Sequence, residues 1–222
     1  TAVMHATTVF SNSVSNKGTL VTYNATDNAL MNILAKSDGL TIGIDEIGIS
    51  KHNSKNFSSL LYAICSGSSK LRLNGDSSMK PSQTYSCFVI STAEYDIIDD
   101  DTIDGIKARV FEITDELTTS AENSDNIKSV IKNNYGTAGR EFIKSFTEYD
   151  EESIMQEYEN AKKQLINKVD KFGNIGKRMV SKLAVITLPC TFFNQAFENL
   201  LHIDEDEIEE YAASLIRKSD NC

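Results

Sequence analysis

The sequence predicts an α/β fold, in which a parallel β-sheet covered by helices is followed by a mainly helical region. Short apolar runs that end abruptly in polar residues alternate with amphipathic helical segments as far as Asp115. This pattern is typical of a parallel sheet that is buried on both faces. Beyond Asp115 the strand patterns nearly disappear. We therefore expect an α/β core over residues 1–117 and a mainly helical region over residues 118–222.

The first predicted elements are a helix, a strand and a second helix. Residues 2–10 have apolar side chains at helical spacing but no capping residue before them, and residues 19–23 form a short β-rich run. Thr26 then supplies an N-cap for a helix whose apolar face begins at Leu30,. The next strand, residues 40–44, is an apolar run that ends in Asp45-Glu46, and an amphipathic helix follows it.

A hairpin and two further strands complete the predicted core. Residues 70–73 alternate polar and apolar side chains before an Asn-Gly-Asp turn, and residues 82–85 form the return arm,. Residues 86–90 are a second buried strand, which ends in Ser91-Thr92. Residues 108–113 form a third strand that begins with Ala108-Arg109.

Helical patterns dominate the rest of the chain. An apolar stripe from Ile154 to Phe172 predicts one long helix that Gly173 ends,. Asp204 caps a final helix with Ile208, Tyr211, Ala212, Leu215 and Ile216 facing inward,. Residues 183–186 fit either a strand or a helix.

Composition narrows the class of protein. No apolar run approaches the roughly 20 residues that span a bilayer, and four scattered cysteines indicate neither a disulfide framework nor a zinc site,. We expect a cytoplasmic protein without membrane association. The net charge of -10 opposes indiscriminate binding to nucleic acid, but residues 51–90 carry five basic side chains against one acidic,. Lys70, Arg72 and Lys80 of the hairpin are candidates for DNA phosphates, and a solvated edge hairpin is the alternative.

The candidate chemistry lies where strands end. An aspartate at a strand end can hold Mg²⁺ through water, and a neighbouring carboxylate can polarise an attacking water, so Asp45 and Glu46 fit these two roles. Both can serve one site only if the strand ends there, because successive strand side chains point to opposite faces. Taken alone, an apolar run followed by Asp-Glu occurs by chance in many proteins.

Two other positions supply polar groups with possible roles. Ser91 or Thr92 can orient the lytic water or contact a phosphate, although such residues also occur as ordinary strand ends. Arg109 can act on the nucleotide of a neighbouring subunit, although a surface salt bridge is the commoner role of a single arginine. The sequence contains no G-x-x-x-x-G-K-[ST] phosphate loop,, so we expect this chain alone to bind ATP poorly.

Several motifs, in this order, resemble the helicase-like family known as Domain of Unknown Function 927, whose members occur largely in phages, plasmids and other mobile elements. They are Asn24-Ala25-Thr26, Ile44-Asp45-Glu46-Ile47-Gly48, Gly67-Ser68-Ser69-Lys70-Leu71-Arg72, Ile90-Ser91-Thr92-Ala93-Glu94, Ala108-Arg109-Val110-Phe111-Glu112-Ile113 and Tyr135-Gly136. The resemblance covers residues 1–146 well and the helical remainder loosely. Members of the family are similar to ring-forming AAA+ and superfamily 3 helicases.

The resemblance implies a P-loop NTPase core of the AAA+/RecA-like type that lacks its first strand and Walker A loop, followed by a lid-like helical domain. It implies a Walker B pair at Asp45 and Glu46, sensor 1 at Ser91 or Thr92, a pre-sensor hairpin around residues 70–80, an arginine finger at Arg109 and sensor 2 at Lys177 or Arg178. The cofactors implied are ATP and Mg²⁺, and the implied partners are single-stranded or forked DNA and further copies of the protein in a ring.

The implied function is part of an ATP-dependent DNA helicase or translocase of a mobile genetic element. In the family a Gly-Lys-Thr loop precedes a helix that resembles residues 1–10, so we expect the phosphate loop upstream in a longer parent protein and no ATP turnover by this fragment alone. Three alternatives stay open: a degenerate member that does not hydrolyse ATP, a non-catalytic AAA+-like assembly or regulatory module, and a generic α/β domain without nucleotide chemistry.

Overall fold

The computed structural model of the chain describes residues 6–10, 18–37, 39–47, 54–69, 71–73, 75–76, 78–99, 101–169 and 171–220. The chain divides into two compact units, residues 1–97 with 114–137 (unit 1) and residues 98–113 with 138–222 (unit 2). Across the described parts of the chain, no helix is long and apolar enough to cross a bilayer.

The strands are β1 (Leu20–Thr22), β2 (Ile42–Asp45), β3 (Arg72–Leu73), β4 (Met79–Lys80) and β5 (Val89–Ser91). The helices are α1 (Asp27–Lys36), α2 (Ser54–Ser66), α3 (Asp104–Lys107), α4 (Ala121–Asn133), α5 (Ala138–Phe146), α6 (Glu151–Asn167), α7 (Asn174–Thr187), α8 (Pro189–Ala196) and α9 (Glu205–Asp220). The predicted mixture of strands and helices is confirmed, and beyond Ser91 the described residues form helices and no strand.

A three-stranded parallel sheet lies in unit 1, in the order β1-β2-β5. The central strand carries the buried side chains, because Ile42 and Ile44 are fully buried while β1 and β5 are only half-buried. The predicted parallel strands at residues 19–23, 40–44 and 86–90 are therefore confirmed, and the last of them is less buried than predicted.

Helix α1 forms as its sequence predicts. The Thr26 hydroxyl accepts a hydrogen bond from the Ala29 N–H at 3.3 Å and so caps the helix,. Leu30 and Leu34 are buried in the same core as the central strand. Of the helix predicted over residues 2–10, Ala6 and Thr7 are helical and residues 2–5 lie outside the described residues.

The predicted hairpin is also confirmed, with β3 antiparallel to β4. Its return arm begins at Met79 rather than at residue 82, because the Asp76 carboxylate accepts a hydrogen bond from the Ser78 N–H at 2.9 Å and closes the turn early,. At the base, Gly67 has a φ of 71°, and a Cβ there would lie 3.1 Å from the Tyr85 carbonyl oxygen. Only glycine fits this position without strain.

The structure of unit 2 differs from the strand predicted over residues 108–113. Residues 108–113 are not a strand: α3 ends at Lys107, and Phe111 packs against the helical core of unit 2. The Glu112 Oε1 atom accepts a hydrogen bond from the Ile98 N–H at 3.0 Å, which also holds this segment without strand pairing. The apolar run fits the pattern of a strand, but Phe111 is instead partly buried against helices, and Ile113 is 66% exposed.

The long helix predicted up to Gly173 ends earlier, at Asn167, and Gly173 is instead the N-cap of α7. The apolar stripe misleads because Val169 and Phe172, which follow the helix, still pack into the core of unit 2. Residues 183–186 are helical within α7.

The final helix is confirmed, with Asp204 Oδ1 accepting hydrogen bonds from the N–H groups of the first turn. Its inward face is narrower than predicted. Ala212 and Ile216 are buried, whereas Ile208 and Tyr211 are each 36% exposed.

Candidate functional site

The candidate site lies at the carboxyl edge of the parallel sheet. Asp45 is the last residue of β2, Ser91 is the last residue of β5, and Glu46 and Thr92 follow them. The two strands are parallel neighbours, with Ile44 opposite Ser91. The two strand ends therefore meet at the same edge, which is where α/β proteins bind ligands.

Thr92 contacts the acidic pair directly. Its hydroxyl donates a hydrogen bond to Asp45 Oδ1 and lies 3.3 Å from the Glu46 nitrogen, whose N–H it accepts. Its carbonyl oxygen accepts the N–H of Ile47 at 3.2 Å. The sequence left Ser91 and Thr92 as alternatives for this edge; the geometry brings Thr92, and not Ser91, to Asp45 and Glu46.

Glu46 has a left-handed backbone, with a φ of 64°. For a residue other than glycine, this conformation costs about 1 kcal/mol. Its N–H donates to Asp45 Oδ1 at 3.1 Å, its side chain is exposed, and the next residue, Ile47, is 1% exposed in the core. The left-handed turn ends the alternation of side chains along the strand at Glu46, which is the condition under which both carboxylates could serve one site.

Tyr23 also belongs to this edge, although nothing in the sequence singled it out. It follows β1, its N–H donates to the Asp45 carbonyl oxygen at 3.1 Å, and its hydroxyl shares a 3.1 Å hydrogen bond with the Ser91 hydroxyl. Burial raises the pKa of Tyr23, and the hydrogen bond with Ser91 partly opposes this effect. The available signal was an aromatic residue at the end of the strand predicted over residues 19–23, which does not reveal where its hydroxyl lies.

The acidic pair fits a magnesium site that is shared with a nucleotide. In the described parts of the chain, no three His, Cys, Asp or Glu side chains are grouped to hold a metal ion. Mg²⁺ in nucleotide sites needs only one or two protein carboxylates, since phosphate oxygens and waters supply its other ligands. Both hydrogen bonds that described residues make to the Asp45 carboxylate fall on Oδ1, and these residues leave Oδ2 without a hydrogen bond.

Three other candidate residues lie in unit 2. Arg109 follows α3 rather than opening a strand, and its Nη1 donates to the Gly105 carbonyl oxygen at 2.6 Å. Lys177 and Arg178 are exposed near the amino end of α7, as the sequence predicted for a helix start. Their roles toward a nucleotide stay predictions.

The basic residues of the hairpin are only partly described. Lys70 lies outside the described residues, as do the side chains of Arg72 and Lys80, whose Cα atoms are partners across β3 and β4. The neighbouring Leu71 and Met79 side chains are 66% and 59% exposed. The hairpin therefore presents side chains to solvent, and DNA contact by its basic residues stays a prediction.

Comparison with known proteins gives two matches. Residues 1–84 match the model of the family described as "Domain of unknown function (DUF927)", which confirms the resemblance seen in the motifs. Among solved structures, the chain is similar to one titled "SCCmec type IV Cch - active helicase", with a TM-score of 0.78 and 26% sequence identity over 98% of this chain. The chain spans 39% of the length of that solved chain. No curated protein matches it.

Proposed function

We propose that this chain is the Walker B and lid portion of an ATP-driven DNA helicase that belongs to a mobile genetic element. The observation that carries the proposal is the hydrogen bond from Thr92 to Asp45 at the carboxyl edge of a parallel sheet. This hydrogen bond occurs in a chain of which 98% is similar in structure to a solved chain titled as an active helicase. That match, rather than the fold alone, favours a motor over a non-catalytic assembly module.

Asp45 and Glu46 have different roles in the proposed hydrolysis of ATP. Asp45 would hold Mg²⁺, through water, and the exposed Glu46 carboxylate would accept a proton from, and so orient, the water that attacks the γ-phosphate. Mg²⁺, when bound together with ATP, supplies positive charge for the phosphoryl group in transfer. The left-handed backbone of Glu46 keeps its carboxylate exposed beside Asp45.

Thr92 is the sensor 1 residue in this proposal. Its hydroxyl already contacts Asp45 and the Glu46 backbone, so it can report on the charge at the γ-phosphate through the same hydrogen bonds. Ser91 instead shares its hydroxyl with Tyr23. These contacts favour Thr92 over Ser91 for the sensor 1 role.

Arg109 acts on the nucleotide of a neighbouring subunit in a homo-oligomeric ring. Its bond to the Gly105 carbonyl is made with a neutral partner, which the guanidinium can exchange for phosphate oxygens of opposite charge. Arg178 or Lys177, at the exposed start of α7, serves as sensor 2. Lys70, Arg72 and Lys80 bind phosphates of single-stranded or forked DNA from the exposed hairpin.

The phosphate loop of this helicase is supplied by the rest of the parent protein, because this chain spans 39% of the solved helicase and contains no such loop. ATP binding is therefore a property of the intact cytoplasmic protein. The chain by itself turns over no ATP.

Unwinding by the intact protein tests the proposal. Purified protein is expected to hydrolyse Mg-ATP, to be stimulated by single-stranded DNA and to separate forked DNA. The variant Asp45→Asn loses these activities, whereas the control Asp27→Asn, on the exposed first turn of α1, keeps them. A wild-type protein that assembles into rings but neither hydrolyses ATP nor unwinds DNA would contradict the proposal and favour an assembly module.

A further inference from the structure

Tyr23 connects all three strands of the parallel sheet at their carboxyl ends. It follows β1 directly, its N–H donates to the carbonyl oxygen of Asp45 on β2 at 3.1 Å, and its hydroxyl lies 3.1 Å from the Ser91 hydroxyl on β5. The strand order is β1-β2-β5. The side chain therefore reaches from one edge strand, past the central strand, to the other edge strand.

The surroundings of Tyr23 hold it in this position. The residue is 5% exposed, and its ring packs edge-on against Phe57 with centroids 6.1 Å apart,. A tyrosine hydroxyl is protonated at neutral pH, and burial raises the pKa of this one further, so its hydrogen bond with Ser91 is retained across the neutral range. A buried, packed and hydrogen-bonded tyrosine restrains its partner more strongly than an exposed one does.

That partner, Ser91, immediately precedes Thr92, which makes the contact with Asp45 and Glu46. We propose that Tyr23 is a positioning residue, which sets the distance between Thr92 and Asp45 by holding the end of β5 against the end of β2. The inference rests on the proposed function, because the geometry it maintains is that of the hydrolytic site. Tyr23 itself need not contact the nucleotide.

The test removes only the hydroxyl, with Tyr23→Phe in the intact protein. We expect kcat for ATP hydrolysis to fall about fivefold, the effect of one hydrogen bond of ordinary strength. The Mg²⁺ concentration for half-maximal rate rises, and KM for ATP stays unchanged because the phosphate loop lies elsewhere. Ser91→Ala gives the same loss, and the double variant loses no more than either single one, since both remove one interaction.

Tyr85→Phe is the matched control. Its hydroxyl is also buried, and it donates to the Ala63 carbonyl oxygen at 2.5 Å. It precedes β5 and so lies toward the amino end of the parallel strands, away from the carboxyl edge. We expect this variant to lower the melting temperature without changing kcat or the Mg²⁺ dependence. The exposed Tyr62→Phe is expected to change none of these quantities.

The outcomes separate the two proposals. Hydrolysis that depends on Glu46, but that responds to Tyr23→Phe as it does to Tyr85→Phe, would overturn the role of Tyr23 and leave the proposed function intact. Additive losses in the Tyr23 and Ser91 double variant would also overturn it. If the wild-type protein shows no hydrolysis that depends on Glu46, the proposed function fails and the positioning role fails with it.

Discussion

The hydroxyl of Thr92, one residue beyond β5, donates a hydrogen bond to the carboxylate of Asp45 at the end of β2. This bond joins two strands that are distant in the sequence, at the edge where the sheet presents its polar groups. The contact gives Asp45 a fixed orientation.

The Thr92 hydroxyl is therefore expected to be needed for turnover. Thr92→Val keeps the shape of the side chain and removes the donor to a charged acceptor, so ATP hydrolysis by the intact protein should fall about tenfold or more. Thr92→Ser keeps the hydroxyl and should retain most of the rate. Steady-state hydrolysis assays compare these variants with Thr137→Val, an exposed control; equal rates for Thr92→Val and wild type would rule out the role of Thr92.

The left-handed backbone of Glu46 predicts that glycine is more stable than alanine at this position, although both substitutions abolish activity. Glu46→Gly removes the strain at a φ of 64° and should be more stable than Glu46→Ala by about 1 kcal/mol, although neither variant hydrolyses ATP. Urea unfolding of the intact protein measures the difference. At Lys128, exposed within α4, the order should reverse, with alanine more stable than glycine,. The same order at both positions would contradict the strained backbone.

Arg109 is expected to complete the site of a neighbouring subunit. Arg109→Ala and Glu46→Gln should each be inactive alone, because every site in either ring lacks one group. Mixed rings should recover part of the ATP hydrolysis, since an Arg109 from a Glu46→Gln subunit can serve the intact Glu46 of an Arg109→Ala subunit. Exposed Arg140→Ala is the control and should be active alone. Absence of recovery in rings shown to exchange subunits would place Arg109 outside the site.

The hairpin should set the salt dependence of DNA binding. Replacing Lys70, Arg72 or Lys80 by Gln is expected to reduce the slope of log affinity for single-stranded DNA against log salt concentration by about 0.7 for each phosphate that is no longer neutralised. Fluorescence anisotropy over a salt series measures the slope. Lys128→Gln, whose amine pairs with Asp125 at 3.2 Å on a helix surface, is the control. An unchanged slope in the triple variant would show that the hairpin does not bind the phosphates.

Local patterns predicted much of this fold, because they follow from residues close in sequence. Thr26 and the apolar residues after it specify α1, and the apolar run before Asp45 specifies the central strand. Features that depend on packing between distant segments were not predictable. Phe111 is in a strand-like run but packs, partly buried, against helices, and Gly173 caps the helix after it rather than ending the helix before it.

The same distinction holds for the candidate site. Asp45 and Glu46 were identified from their place at a strand end, which is a local property. The choice between Ser91 and Thr92 depends on the register of β5 against β2, and the contribution of Tyr23 depends on a hydroxyl that reaches across the sheet. Neither relationship can be predicted from the spacing of residues along the chain.

The most direct measurement compares nucleotide binding and hydrolysis in the intact protein carrying Glu46→Gln. The amide keeps the size of the side chain but cannot accept a proton from the attacking water. We predict that Mg-ATP binds with nearly unchanged affinity and stays unhydrolysed in single-turnover assays, while Glu122→Gln, exposed on α4, behaves as wild type. Hydrolysis of bound ATP by Glu46→Gln at the wild-type rate would contradict the assignment of Asp45-Glu46 as the hydrolytic site.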